Sequence, residues 1–390
     1  MREVVIVEGI RTPVGRRNGV LKDVRPDDLA GEVLKKLIEK AGIDPAIVDD
    51  VILGCVSQSG EQAGDIARVA ALIAGFPIEV PGTTIDRQCG SSQQAVHFAS
   101  QAILSGDMDV VVAGGVENMS RVPMGSNYQG AGTSQKYMDS YEVINQGLSA
   151  ERIADKWGIT REDCDQFSVE SHAKAIRAQK EGHFTREMIS VTGTDKEGNQ
   201  IEVTEDQGPR DGTTLEVLAG LKPVFQDGGL IHAGNSSQIS DGAAVLLLME
   251  RSKAEELGLK PRFKVHTRVV VGSDPTLMLT GPIPATKKAL EKAGLTIDDI
   301  DIYEVNEAFA PVPIAWLKET GADPQKLNPN GGAIALGHPL GGSGARLMVS
   351  MIHELERTGG RYGLQTMCEG HGMANATIIE RLNGSRTIDL

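Results

Sequence analysis

The sequence predicts an α/β protein built from two similar halves, with an irregular insertion between them. Helical and strand patterns alternate at both ends of the chain, the pattern of one end recurs at the other, and the middle stretch follows neither. Alternating helices and strands pack as layers, so two copies of one pattern imply two layered units side by side.

The first strand pattern is Val4-Val-Ile-Val7. Lys35-Lys-Leu-Ile-Glu-Lys-Ala-Gly-Ile-Asp44, followed by Val48-Asp-Asp-Val-Ile-Leu-Gly-Cys55, predicts helix, turn and strand. Lys287-Lys-Ala-Leu-Glu-Lys-Ala-Gly-Leu-Thr296, followed by Ile300-Asp-Ile-Tyr-Glu-Val-Asn306, predicts the same, and Lys35 to Lys287 is an offset of 252 residues. Ser91 and Ser343 repeat that offset of 252, and each is followed by apolar residues at helical spacing (Val96, Ala99, Ile103; Leu347, Val349, Ile352). Next come two short strands ending in glycine, Asp109–Gly115 and Leu364–Gly370. On this alignment the strand end at Cys55 corresponds to Asn306.

The expected division is residues 1–120 plus about 241–260 as the N-terminal half, 121–240 as an inserted loop or lid, and 261–390 as the C-terminal half. The insertion is rich in Gly, Asp, Thr and Ser, with a helical segment at roughly 150–180 and turn signals at Gly208-Pro-Arg-Asp-Gly212. Trp157, Phe167, Phe184 and Phe225 need burial, so it is expected to be ordered. Ser240–Met249 returns to a buried strand.

Charge and cysteine usage exclude several classes. A net charge of −14 disfavours nucleic acid, and an anionic substrate needs local basic groups. No apolar run approaches the roughly 20 residues of a membrane helix. Cysteines 55, 89, 164 and 368 show no disulfide framework, which points to a reducing compartment and a cytoplasmic protein. The immediate strand at the N-terminus is not a signal segment, and the terminal Thr387-Ile-Asp-Leu390 is not a peroxisomal address.

Three segments carry the chemistry. Cys89 lies in Asp86-Arg-Gln-Cys-Gly-Ser-Ser92, where a turn becomes a helix. There the helix dipole favours a thiolate, a nearby imidazole can take its proton, and turn N–H groups can stabilise an oxyanion. His338 lies between Gly337 and Pro339, off any helical face, and Cys368 ends an apolar strand before Glu369-Gly370. As bland alternatives, Cys89 or Cys368 is a small core residue and His338 a satisfied core histidine.

With these motifs the chain resembles the thiolases, which make and cleave 3-oxoacyl-CoA. The resemblance rests on Cys89-Gly-Ser-Ser92, Gly114-Gly-Val-Glu-Asn-Met-Ser120, Asn306-Glu-Ala-Phe-Ala310, the glycine-rich block Asn330–Arg346 around His338, and Cys368-Glu-Gly370. It spans essentially the whole chain and implies a duplicated five-layer αβαβα architecture with an inserted loop domain. It further implies that Cys89 carries the acyl group, His338 activates it, and Cys368 moves the proton at the substrate α-carbon. The backbones of Cys89 and Gly370 would form one oxyanion hole, and His338 with an Asn306-held water the other. Ser237 matches the serine set against the pantetheine arm of coenzyme A. Lys222 falls near the nucleotide, or is simply a solvated lysine. The scheme implies acyl-CoA substrates, no tightly bound cofactor, no metal, and a homodimer or homotetramer, with Val110–Ala113 expected as an edge strand that pairs with a copy of itself.

Departures from the family pattern bear on substrate size. Gly370-His371-Gly372 replaces a triple glycine, making His371 a filler at the pocket wall or a substrate contact. Gln88, Gln93 and Gln94 replace smaller or basic residues, as in thiolases for bulky acyl groups, including bacterial steroid side-chain thiolases. Met119, Met124, Tyr128, Met138 and Tyr141 can wrap a large acyl chain or serve lid packing. The expectation is a degradative enzyme for medium or bulky 3-oxoacyl-CoA. The alternatives are a biosynthetic acetoacetyl-CoA thiolase and, more distantly, a non-catalytic acyl-CoA or lipid-binding protein. A metal protein using Cys89, His338, Cys368 and His371 lacks paired ligand spacing.

Overall fold

The structure is a computed structural model that describes residues 2–382; the C-terminal tetrapeptide lies outside them. In chain order the strands are β1 (Val4–Arg11), β2 (Gly15–Arg16), β3 (Asp50–Gly54), β4 (Gly82–Ile85), β5 (Val110–Asn118), β6 (Val191–Thr194), β7 (Gln200–Val203), β8 (Ser240–Glu250), β9 (Phe263–Gly272), β10 (Ile302–Val305), β11 (Tyr362–Glu369) and β12 (Met373–Arg381). The helices are α1 (Pro26–Ala41), α2 (Ile66–Ile73), α3 (Ser91–Ser105), α4 (Gln135–Ser140), α5 (Gln146–Lys156), α6 (Arg161–Lys180), α7 (Leu215–Ala219), α8 (Arg251–Glu256), α9 (Pro282–Ala293), α10 (Pro311–Thr320), α11 (Ala333–Leu336) and α12 (Leu340–Thr358).

The duplication is visible in strand order. Along the sheet run β10-β11-β12-β9 and then β1-β8-β5-β3-β4. In each half two parallel strands (β3 with β5, β10 with β11) are followed by two antiparallel steps. The halves join through a two-residue ladder, Val5 with Lys264 and Ile6 with Phe263. The pair Leu53–Gly114 of one half matches Val305–Thr366 of the other, again 252 residues on. Asn306 is therefore level with Gly54, and Glu307 with Cys55, one residue from the expected correspondence. Likewise the second glycine-ended strand begins at Tyr362, not Leu364.

Five layers follow from which strand faces are apolar. On β5, Val110, Val112 and Val116 face α1 and α2, while Val111 and Ala113 face α3 and α12. On β8, Val245, Leu247 and Met249 face outward and Ala244, Leu246 and Leu248 inward. Burial on both faces is why these strands read as unbroken apolar runs. On the far side α9 and α10 cover the second half with Ala285, Ala289 and Trp316. α12 lies between the two halves of the sheet and is buried continuously from Leu340 to Leu355. Its first turn is tight enough to need glycine: a Cβ on Gly115 would lie 2.1 Å from Gly341 O.

Two expectations change. Val110–Ala113, expected at a sheet edge, pairs on both sides, with β3 and with β8. Its apolar faces need cover on both sides, and the edge falls instead to the short, partly exposed β4. The single helical segment of the insertion is two helices, α5 and α6. Gly158 at φ 59° ends the first, and a capping box between Thr160 and Asp163 starts the second.

Phe184 is buried, whereas Trp157, Phe167 and Phe225 are half-buried. The insertion is bolted to β1 by buried Arg11, which pairs with Glu187 at 2.6 Å and Asp206 at 2.7 Å. Among the described residues no helix is long and apolar enough to cross a membrane.

Candidate active site

Cys89 occupies the turn between β4 and α3, and the turn is stitched by its own side chains. Asp86 Oδ1 accepts from the Gln88 N–H at 2.7 Å, and Ser91 Oγ accepts from the Arg87 N–H at 2.8 Å while donating to Gln88 O at 2.6 Å. Gln88 holds a left-handed φ of 48°, a local cost of the kind retained where a side chain must be aimed. The opposite wall comes from the loop before α12. There the His338 N–H donates to Gln238 O and to Ser240 Oγ, each at 3.1 Å.

Cys89 and His338 open onto one cavity of about 170 Å³, otherwise walled by groups such as Met119, Phe225, Phe309 and Leu340. Both are nearly fully buried.

The tautomer of His338 follows from its partners. Ser343 Oγ donates to Pro339 O at 2.8 Å, so at 2.5 Å from His338 Nδ1 it must accept the Nδ1–H. Nε2 is then the bare nitrogen, and Asn306 Nδ2 points at it from 3.4 Å. Burial, aided by Arg346, holds the imidazole down to about 3, so it rests neutral with its lone pair available. Burial, then the neighbouring Cys368 and Glu369, push the Cys89 thiol well above its ordinary range. The expected benefit of the helix start is thus outweighed. Cys89 rests as a thiol and needs a base.

Cys368, at the end of β11, belongs to the same cluster. Burial and then Glu369 raise it to about 12, against the pull of the Asn306 side chain and the Ala308 backbone. Gly370 follows at the hairpin turn and packs against the Gln88 side chain; a Cβ there would lie 2.8 Å from Gln88 Oε1. Among the described residues, the N–H groups of Cys89 and Gly370 have no protein acceptor. The site therefore combines two protonated thiols, a neutral base, an amide and two unengaged backbone donors.

The remaining expected residues fall at different distances from this centre. Ser237 lines the cavity, its N–H held by Ala308 O at 2.9 Å. Lys222 is exposed and does not line it, although Phe225, three residues on, does. His371 is no buried filler. It is exposed, edge-on to Tyr137 with ring centroids 6.2 Å apart, and walls a separate cleft of about 510 Å³ with Tyr141 and Met373.

Gln93 and Gln94 do not face the cavity, so they do not report on acyl size. Gln93 Nε2 donates to Gln365 O at 3.1 Å and Thr377 Oγ1 at 2.7 Å, and Gln94 Oε1 accepts from Asn375 Nδ2 at 3.0 Å. They tie α3 to the other half. Buried Met119 and exposed Met124 line the cavity; Tyr128, Met138 and Tyr141 are exposed and do not.

Comparison with known proteins decides the family. The thiolase N-terminal domain matches residues 4–252 and the thiolase C-terminal domain residues 259–381. This chain belongs to the thiolase family. It is 51% identical to a steroid 3-ketoacyl-CoA thiolase of Mycobacterium tuberculosis, covering 98% of this chain and 95% of that protein. A 3-ketoacyl-CoA thiolase of Idiomarina loihiensis is 46% identical, covering 98% and 100%. The crystal structure of the Bacillus anthracis acetyl-CoA acetyltransferase superposes with a TM-score of 0.91 at 41% identity, covering 98% and 99%.

Three residues of this thiolase escaped the sequence reasoning as parts of the site. Ser343 was visible only as a duplication marker. Glu117 accepts from the backbones of Val56, Ser57 and Gly341, joining the Cys55 loop to the first turn of α12. Glu369 packs its carboxyl against Gly90, the residue after Cys89. Only the position of Ser343, five residues after His338 in a glycine-rich run, offered a signal.

Replacing Ser343 by alanine should strand a buried Nδ1–H, costing about 1–3 kcal/mol in urea unfolding. It should also slow alkylation of Cys89 by iodoacetamide by about tenfold or more, because the ring loses its tautomer lock. Unchanged alkylation in a folded variant would show that Ser343 does not set the tautomer.

Proposed function

We propose that this thiolase cleaves 3-oxoacyl-CoA with coenzyme A through an acyl group carried on Cys89. The reaction releases acetyl-CoA (or propionyl-CoA) and a shortened acyl-CoA, and is reversible as a Claisen condensation. One observation carries the assignment of roles: a buried, protonated thiol and a neutral imidazole with a fixed tautomer share one cavity.

In the cleavage direction His338 Nε2 takes the Cys89 proton, and the sulfur attacks the 3-oxo carbon. The carbonyl oxygen gains charge where the N–H groups of Cys89 and Gly370 are unengaged, and such a donor is typically worth about 3–4 kcal/mol. The bond between C2 and C3 then breaks, leaving the enolate of the departing acyl-CoA. His338 and an Asn306-held water stabilise its oxygen, and Cys368 delivers the proton to its carbon. A thiol raised to about 12 is suited to stay protonated until such a strong base forms beside it. The imidazolium proton then passes to the Cys368 thiolate, and the neutral His338 deprotonates coenzyme A, whose sulfur takes the acyl group while the proton returns to the departing Cys89 sulfur. No step is assigned to a metal, and no cofactor stays bound.

Ser237 is placed against the pantetheine arm because it lines the cavity. Lys222 is assigned to the nucleotide end, outside it. The division into residues 1–120 with about 241–260, 121–240, and 261–390 is also proposed; the two family matches meet between 252 and 259, close to it. A cytoplasmic location fits four cysteines that are all unpaired and buried.

The roles of the thiols separate experimentally. Cys89→Ala should abolish both cleavage and condensation, and acetyl-CoA should add an acetyl mass to the wild-type peptide carrying Cys89. Cys368→Ser should still be acetylated but lose turnover by about 10²–10⁴-fold. Acetylation found only on Cys55 or Cys164 would remove the scheme.

The proposed substrate is a medium or bulky 3-oxoacyl-CoA. Met119 and Met124 in the cavity wall supply adaptable apolar surface, and the mycobacterial relative bears a steroid substrate in its name. Each buried methylene is worth about 0.8 kcal/mol, so kcat/KM should rise with chain length until the pocket fills. Acetoacetyl-CoA outperforming both 3-oxooctanoyl-CoA and a ring-bearing ester would place the enzyme with the short-chain acetyltransferases.

Assembly as a homodimer or a dimer of dimers is supported by the free edge at β4. Light scattering returning the monomer mass of 41.5 kDa at micromolar concentration would contradict it.

A further inference from the structure

Glu369 bridges the two thiols without belonging to either. It follows Cys368 at the end of β11, and its carboxyl packs on Gly90, the residue after Cys89. A Cβ built on Gly90 would meet Glu369 Oε1 at 1.9 Å and Asn375 Oδ1 at 2.4 Å, so both oxygens converge on the backbone of the Cys89 turn. The amide of Asn375 is oriented by its nitrogen, which donates to Gln94 Oε1 at 3.0 Å and reaches His97 Nδ1 at 3.5 Å. Its oxygen is thereby left facing the carboxyl. Neither Glu369 oxygen nor Asn375 Oδ1 has a hydrogen-bond donor, and both residues are fully buried. Two acceptors pressed together away from water repel each other. A carboxylic acid removes the conflict with its own proton; a carboxylate cannot.

We propose that Glu369 is a positioning residue held as the neutral acid, donating to Asn375 Oδ1 across the β11–β12 hairpin that carries Cys368, so that the pair, tied through Asn375 Nδ2 to Gln94 of α3, sets an uncharged surface under Gly90 of the Cys89 turn. Burial, which raises this carboxyl to about 9, acts in the same direction. Arg87 and the Asn375 backbone pull toward the anion, while Asp86, from the same turn as Arg87, opposes it. The other groups around it are His97 of α3, held neutral by burial and by Arg268 of β9, and the thiols themselves. A negative charge at Glu369 is itself one of the influences that raise both thiols, and a site that must generate a thiolate gains by keeping it neutral. The inference rests on Cys89 and Cys368 being the working thiols.

The test compares full-length wild type with Glu369→Gln, following alkylation of Cys89 by iodoacetamide from pH 7 to 10.5 with the modified peptide identified by mass. Glutamine keeps a donor toward Asn375 Oδ1 but cannot ionise. The two rates should coincide between pH 7 and 8. Above about 9 the variant should pull ahead, because only wild type then gains an anion beside the sulfur. A variant already about tenfold faster at pH 7 would mean that Glu369 is ionised there and would overturn the proposal. Superimposable profiles over the whole range would overturn it equally. If the variant does not fold, neutron diffraction from deuterated wild-type crystals at pH 7 decides: a deuteron on the carboxyl is expected, and a bare carboxylate sinks the idea. Neither measurement involves turnover, so failure here is distinct from failure of the acyl-transfer scheme.

Discussion

Two helices that begin in the middle of the molecule constrain everything else. α3 and α12 start between the two halves of the sheet, where the first-turn N–H groups of a helix cannot reach water and must find protein acceptors or a ligand. One of these demands is met by Glu117, which accepts the Gly341 N–H at 2.8 Å; a turn further into α12, Ser92 Oγ accepts the Ala345 N–H at 2.8 Å and ties the two helices together. Among the described residues, backbone donors without a protein acceptor include those of Cys89, in the turn before α3, and Gly370, in the hairpin beside it. An enzyme that must stabilise a transient oxyanion keeps some of its donors unspent, and in the proposed scheme these two serve the reacting carbonyl.

The same burial sets the protonation of the site. His338, Cys89 and Cys368 each rest uncharged because a dry interior penalises the ion more than neighbours reward it. Charge therefore appears only during reaction, next to dipoles already in place. Elsewhere the fold does bury charge, as at Arg11, which is paired with Glu187 and Asp206. Those pairs hold the insertion against the first half and leave the cavity free of fixed ions.

How much of this could be read from the chain depends on distance along it. The repeat at 252 residues, the alternation of helix and strand, and the turns bearing Cys89, His338 and Cys368 are local patterns, and the structure brings those three residues together. Interactions between segments were not legible. Nothing local says that Gln93 and Gln94 point at Gln365, Thr377 and Asn375 instead of a substrate. Nothing local marks Val110–Ala113 as interior, because an apolar run reads alike at an edge and at the centre of a covered sheet. The break at Gly158 was visible as a glycine but was absorbed into a longer helical pattern. The tautomer of His338 depended on which way the Ser343 hydroxyl points, and that is settled by Pro339 O.

Drawing the site from both copies of the repeat also has a consequence in time. During synthesis Cys89 emerges 249 residues ahead of His338 (positions 89 and 338). At about 5–20 residues per second, roughly 12–50 s separate the two. Throughout that interval the nascent chain carries a thiol without the imidazole that faces it in the finished fold. The reactive pair comes into being only when the second copy closes over the first.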